Sequence, residues 1–244
     1  MNKRVMDLKK VEVWDGNMAN SQALRQADVD VIAAYPITPS TATVENYCMF
    51  HANGYIDGEV MMTESEHAAM SACIGAGAAG GRVATATSSQ GLALMIETLY
   101  QASGMRIPVV LCLVNRALAA PLNVNGDHSD LYLTRDSGWI SIDAFSPQEA
   151  YDMTLMSFKI SEHPEVRLPV ISNQDGFMTS HTAQNVLPLK DDVACKFVGD
   201  YLQVNALLNF DKPVTHGVQT EQDWHFEHKA KLHAALMGSK KVIL

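Results

Sequence analysis

Short apolar runs alternate with stretches of helical pattern along most of the chain. The runs at residues 29–35, 60–62, 83–87, 107–114, 140–145 and 168–173 each stop at a Pro or a polar residue, which predicts six strands. Residues 107–114 are almost continuously apolar, the mark of a strand buried on both faces. Helical patterns fill the intervals at 17–26, 65–79, 92–103 and 147–162, with a further helix that Ser40 or Thr41 caps and that runs to about residue 52. Pro147 suits the first turn of its helix. This alternation predicts an α/β fold of three layers, a mostly parallel sheet with helices on both faces. Residues 1–13 read as a charged lead-in ending in a short strand, and beyond about 188 the alternation fails. The predicted organisation is a domain at 1–188 and an arm at 189–244 with a helix near 223–237.

The unit spanning 60–91 organises the rest. Two parallel strands joined by a helix deliver the residues that follow each strand to one edge of the sheet, where open α/β folds place ligands. Glu64, Glu66 and Ser88, Ser89, Gln90 and Gly91 are therefore expected to be neighbours. The helix between them has no Lys or Arg and mostly minimal side chains, so another backbone can approach it closely. Thr63 and Glu66 fit the S/T-x-x-E capping box. The Gly75, Gly77 and Gly80 spacing imitates a dinucleotide fingerprint, but it closes a helix instead of opening one, so it reads as a packing and C-cap feature. Residues 87–91 resemble a nucleophile elbow lacking its first Gly, which leaves a hydrolase built around Ser89 as a minor alternative.

Two further loops carry candidate chemistry. Pro36 and Pro39 stiffen a loop with three hydroxyls, at Thr38, Ser40 and Thr41. Arg116, directly after a buried strand, is placed to hold an anion bidentately or to make a structural ion pair. The polar loop 118–130, with Pro121 and Gly126, is long enough to line a pocket.

A net charge of −9 over 244 residues argues against nucleic acid or an anionic membrane as the main partner. No apolar run approaches the length of a spanning helix, so a cytoplasmic protein is expected. Cys48, Cys73, Cys112 and Cys195 are far apart and form no C-x-x-C pair; buried free thiols are expected. His225, His228 and His233 can share a helix face, but a solvated face is favoured over a metal site.

Taken together and in order, the strings Ala34-Tyr-Pro-Ile-Thr-Pro-Ser-Thr41, Glu64-Ser-Glu-His67, residues 85–95, Asn115-Arg-Ala-Leu-Ala-Ala-Pro121, Gly126-Asp-His-Ser-Asp130, Arg135-Asp-Ser-Gly-Trp139 and residues 175–181 resemble the α subunit of 2-oxoacid:ferredoxin oxidoreductases, nearest to pyruvate synthase. The resemblance covers nearly the whole chain. It implies a pyrimidine-binding module for thiamine diphosphate, in which Glu66 bonds the aminopyrimidine ring nitrogen. It also implies that Thr38 contacts substrate, that Arg116, with Asn115, holds the 2-oxoacid carboxylate, and that Pro36, Ser89, Gln90 and Gly91 line the cofactor. A carboxyl group in an apolar pocket keeps a raised proton affinity, and sharing that proton with the ring favours its imino tautomer. Glu66 is thus a cap by spacing and a ligand by resemblance.

The resemblance implies oxidative decarboxylation of a 2-oxoacid, pyruvate first, to the acyl-CoA with reduction of ferredoxin, and the reverse. A branched-chain 2-oxoacid or oxalate version and a non-catalytic assembly subunit stand as alternatives. Gly126-Asp127-His128 and Gly199-Asp200-Tyr201 lack the second Gly of a diphosphate and Mg²⁺ motif, and iron–sulfur ligands are absent. The active site is therefore expected to be shared. A β subunit would bring the diphosphate and Mg²⁺ module, [4Fe-4S] clusters would sit on partner subunits, and γ and ferredoxin-like δ subunits would complete the complex. Family α subunits continue into a second α/β domain, toward which residues 189–244 would lead.

Overall fold

The computed structural model describes residues 3–217 and 219–244. In chain order the elements are β1 (Glu12–Trp14), α1 (Gly16–Gln26), β2 (Val31–Ala34), α2 (Thr41–Ala52), β3 (Glu59–Met62), α3 (Glu66–Ala79), β4 (Val83–Thr87), α4 (Ser89–Gly104) and β5 (Val110–Val114). There follow α5 (Ser129–Tyr132), β6 (Ile140–Ala144), α6 (Pro147–Glu162), β7 (Val170–Gln174), β8 (Gln184–Val186), α7 (Asp191–Val198), α8 (Gln222–Gly238) and α9 (Lys240–Ile243). Six strands pair in the order β3-β2-β4-β5-β7-β6, all parallel. A separate antiparallel pair joins β1 to β8. The three-layer parallel architecture is as the alternating pattern predicts.

Side-chain alternation along the strands divides the core in two. Ile32, Ala34, Ala84, Ala86, Val110 and Cys112 pack with α1, α2 and α6 on one face, while Ala33, Val83, Leu111, Leu113 and Ile171 pack with α3 and α4 on the other. From β2 the chain winds outward to β3, then returns past β2 to β4 and on toward β5. The winding therefore reverses between β2 and β4, and the crevice beyond their carboxyl ends is where such sheets bind ligands.

Local chemistry fixes the helix ends. Asp15 accepts from the Met18 N–H at 2.8 Å and Ser146 from the Glu149 N–H at 3.2 Å, each satisfying an otherwise orphan donor. Gly80 ends α3 with φ of +121°, and its N–H reaches the carbonyls of Ala76 and Gly77. A side chain on Gly77 would run into Ile107. The three glycines that imitate a dinucleotide loop include a packing site and a C-cap, as their position predicts.

Several local expectations are corrected. The cap of α3 is Ser65, which accepts from the Ala68 N–H at 3.2 Å, while the Thr63 hydroxyl donates to the Ala34 and Ser65 carbonyls. The capping box fails because the helix starts two residues later than Thr63 would require, leaving Glu66 as its first residue. Helix α4 begins at Ser89, earlier than the expected 92, because its first-turn hydrogen bonds already run to the Ser88 carbonyl, which accepts from the Gly91 N–H at 2.9 Å and the Leu92 N–H at 3.4 Å. Ser40 precedes α2 but its hydroxyl donates backward to Ile37, giving no side-chain cap. Cys73 and Cys112 are buried free thiols, whereas Cys195 is exposed. Burial pushes the Cys73 and Cys112 thiols up to about 12.

Helix α7 docks against the domain: Ala194 and Val198 join the first core cluster, and Asp191 takes a bidentate pair of hydrogen bonds from Arg25 at 2.9 and 2.5 Å. At the amino-terminal edge of the sheet, Arg82 holds Glu162 through two 2.7 Å bonds and donates to the carbonyls of Ala27 and Gly199 at 2.6 and 2.8 Å. Helix α8 is mostly exposed and docks through Ala235 and Leu232. No helix among the described residues is long and apolar enough to cross a membrane.

Candidate functional site

Three loops meet at the reversal of winding. From the loop after β5, the Arg116 guanidinium donates through Nη1 to the Thr38 carbonyl at 2.8 Å and through Nη2 to Gln90 Oε1 at 2.8 Å. It thereby ties the loop after β2 to the turn after β4. Burial lowers the proton affinity of Arg116, with Asp130 and Glu66 pulling the other way, so both carboxylates lie within its electrostatic reach. Its Nε is buried without a partner among the described residues.

Glu66 opens α3 and is buried, 7% exposed. A carboxylate there gains from the helix dipole. Among the described residues no hydrogen bond reaches its carboxyl, which leaves an open acceptor at the crevice. The recess is shaped by Gly91, where a methyl group would sit 2.7 Å from Glu66 Oε1 and collide with the Thr87 hydroxyl. Thr87 Oγ1 and Ser88 Oγ are likewise buried without partners among the described residues. The expected meeting of Glu66 with the 88–91 turn is thus present, while Glu64 is exposed.

Ser89 does not act as an elbow nucleophile. Its φ of +48° has the strain of such a turn, but the side chain is fully buried, with Oγ 2.5 Å from both the Ala117 carbonyl and Gln90 Oε1. No His or carboxylate bonds that hydroxyl among the described residues, so the hydrolase alternative lacks a base. Pro36 and Thr38 are exposed on the loop after β2, and the Thr38 hydroxyl has no partner among the described residues. Asn115 is fully buried and its amide donates to Asp130 Oδ1 at 2.8 Å. It supports the loop from behind.

Sequence reasoning quoted Asp130 only as part of a string. In the structure it is fully buried and accepts four N–H groups: Ser89 N at 2.9 Å and Arg116 N at 3.0 Å on Oδ2, Asn115 Nδ2 and Leu131 N at 2.8 Å each on Oδ1. Burial pushes its carboxyl up against the pull of these donors. The available signal was an acidic residue closing a polar loop between a buried strand and a short helix.

A separate cavity of about 900 Å³ opens at the far edge of the sheet, lined by Arg106, Arg167, His225, His228 and Lys229 among others. His225 and His228 do share a helix face, but no cluster of metal-binding side chains occurs among the described residues.

A family model described as "Pyruvate flavodoxin/ferredoxin oxidoreductase, thiamine diP-bdg" matches residues 22–244. Pyruvate synthase subunit PorA of Thermotoga maritima is 48% identical over 227 residues, covering 93% of this chain and 58% of the relative. The PorA subunit of Methanocaldococcus jannaschii is 47% identical, covering 96% of this chain and 60% of the relative. Ketoisovalerate oxidoreductase subunit VorA of Pyrococcus furiosus is 41% identical, covering 98% and 60% respectively. Among solved structures, a 2-oxoglutarate:ferredoxin oxidoreductase from Magnetococcus marinus, with 2-oxoglutarate, coenzyme A and succinyl-CoA bound, superposes with a TM-score of 0.68 at 28% identity, over 78% of this chain and 34% of that one. The chain spans 58% to 60% of the length of these curated relatives. With the parallel sheet, the reversal crevice and the Glu66 recess in place, the family match over residues 22–244 settles kinship: the chain belongs to the pyruvate flavodoxin/ferredoxin oxidoreductase family, as its thiamine diphosphate-binding domain.

Proposed function

We propose that this chain is the pyrimidine-binding subunit of a thiamine diphosphate-dependent 2-oxoacid:ferredoxin oxidoreductase, converting pyruvate and coenzyme A to acetyl-CoA and CO₂ with reduction of ferredoxin, and running in reverse. The observation that carries the reading is Glu66, a buried carboxylate at a helix start, without a hydrogen-bond partner among the described residues and facing a glycine where a methyl group would collide. A ring nitrogen that shares a proton would complete it. Residues 1–188 form the cofactor domain in this reading, and 189–244 an arm from which α7 docks back.

The residues present fit the pyrimidine end of the cofactor: Glu66 would hold it, with Gly91, Gln90, Ser89 and Pro36 shaping its berth. When bound, thiamine diphosphate supplies a nucleophilic carbon for the 2-oxo group and a sink for the electrons left by CO₂. Glu66 would share a proton with the ring nitrogen at the position its carboxyl faces. Arg116 uses one N–H of each Nη on Thr38 and Gln90, and the second N–H of each can take a carboxylate. Thr38 offers an exposed hydroxyl on the same loop. A β subunit bearing the diphosphate and Mg²⁺ module, γ and ferredoxin-like δ subunits, [4Fe-4S] clusters held on partner subunits, and ferredoxin complete this cytoplasmic assembly.

A branched-chain substrate is the second reading, favoured by the likeness to VorA. The test is to assemble the chain with the subunits encoded beside it, add thiamine diphosphate, Mg²⁺, coenzyme A and ferredoxin, and compare pyruvate, 2-oxoisovalerate, oxalate and 2-oxoglutarate. Pyruvate is expected to lead, with Glu66→Gln abolishing turnover while assembly persists. Near-normal activity of that variant would overturn the assignment of Glu66.

A further inference from the structure

The catalytic reading leaves one buried carboxylate without a role. Asp130 lies behind the site, fully buried, and does not form an ion pair among the described residues, since its four partners are three backbone N–H groups and the Asn115 amide. Two of those groups belong to different loops, 41 and 14 residues away. Its Oδ2 takes the N–H of Ser89, which opens the turn after β4, and the N–H of Arg116, which opens the loop after β5. The side chains borne by those two segments meet: Gln90 Oε1 receives Arg116 Nη2 at 2.8 Å. One oxygen atom thus sets the spacing between the backbones from which Arg116 and Gln90 extend.

Two further features show that this spacing is imposed. Ser89 sits at φ of +48°, a left-handed conformation that a non-glycine residue keeps only when its surroundings hold it. The bond from its N–H to Asp130 is one such hold, and the contact of its hydroxyl with the Ala117 carbonyl at 2.5 Å is the other. Arg116 also feels the Asp130 charge, which works against the burial that would otherwise disfavour the guanidinium.

We propose that Asp130 is a positioning residue for 2-oxoacid binding, acting through Arg116 and the Ser89–Gln90 turn and never touching the substrate. This rests on the reading of Arg116 as the carboxylate-holding group. A loop held out of place by an ångström costs up to about a hundredfold in rate in well-ordered sites, so a residue of this kind is felt in kinetics out of proportion to its effect on folding. An amide at the same place keeps one acceptor oxygen but turns an NH₂ toward donors that need an acceptor.

The test uses the assembled enzyme and has two arms. In the kinetic arm, Asp130→Asn is expected to raise KM for the 2-oxoacid about tenfold or more, with a smaller change in kcat. In an Arg116→Lys background the same substitution is expected to add little, because the group it positions is already gone. Asp130→Glu, which retains the charge, is expected to recover part of the loss. Additive effects in the double variant, or an unchanged KM beside a lowered Tm, would reduce Asp130 to a structural carboxylate and overturn the proposal. The second arm needs no turnover: phenylglyoxal labelling of Arg116, followed by peptide mass spectrometry on the chain, is expected to accelerate severalfold in Asp130→Asn. Unchanged labelling would overturn the coupling to Arg116. Accelerated labelling in an assembly whose unsubstituted form turns over no 2-oxoacid would instead uphold the coupling and overturn the functional reading.

Discussion

Gly91 lies so close to the Glu66 carboxyl that a single methyl group on it would sit 2.7 Å from Oε1. The turn after β4 is therefore not a neutral neighbour of the helix that carries Glu66; it sets how deep that carboxyl can sit. Gly91→Ala is expected to displace the Glu66 side chain and destabilise the fold by about 1–3 kcal/mol, the usual cost of overpacking. Turnover of the assembled enzyme should fall far more than a loss of that size alone would produce. Urea titration beside steady-state kinetics separates the two, and a variant with normal activity would show that the contact is irrelevant to the chemistry.

Arg116→Lys tests the fork. A lysine ammonium can replace the charge but cannot hold Thr38, Gln90 and a carboxylate at once. KM for the preferred 2-oxoacid should rise about tenfold or more while the fold is unchanged, which initial-rate measurements over a range of substrate concentrations will register.

A third expectation concerns affinity. The chain offers a berth for the pyrimidine end, but no Gly-Asp-Gly loop for diphosphate and Mg²⁺, and those charged groups supply much of the binding. Calorimetry with the isolated chain should give no saturable heat at cofactor concentrations that saturate the assembly. Tight binding to the single chain would sink the divided site.

A fourth uses pH. Partial burial works to raise Asp191, but hydrogen bonds from Arg25 and Gln26 outweigh it and hold its carboxyl below the usual range. A carboxylate depressed in the folded state stabilises fully above its unfolded value, about 3.9, and loses that contribution as the pH falls through the folded value. Asp191→Asn should therefore be less stable than the parent at neutral pH, and the gap in urea midpoint should close on acidification below about pH 4.

Much of the architecture was legible because strands and helices follow run length and period, which are local properties. The order of strands was not: β7 inserts between β5 and β6, a pairing decided by how α6 crosses the sheet. Thr63 looked like a cap because two hydroxyl residues, Thr63 and Ser65, precede the same helix, and only the backbone path chooses between them. Glu66 and Arg116 were singled out as candidates by their positions after strands and by the family resemblance. Asp130 was not, since its donors come from separate loops and no spacing rule anticipates a carboxylate that binds them together.

The Arg82–Glu162 pair has a consequence for engineering. It fastens the ends of α1, α6 and α7 at the edge of the sheet opposite Glu66, with both partners largely buried. Breaking such a pair by removing one partner costs about 3–5 kcal/mol, yet no atom of it touches the loops that carry Thr38, Gln90 or Arg116. The buried ion pair and the proposed chemistry are thus anchored at opposite ends of the same strands. Substitutions that reinforce the Arg82 edge can raise tolerance to heat without retuning the chemistry, leaving the Glu66 edge free to diverge among relatives that take different 2-oxoacids.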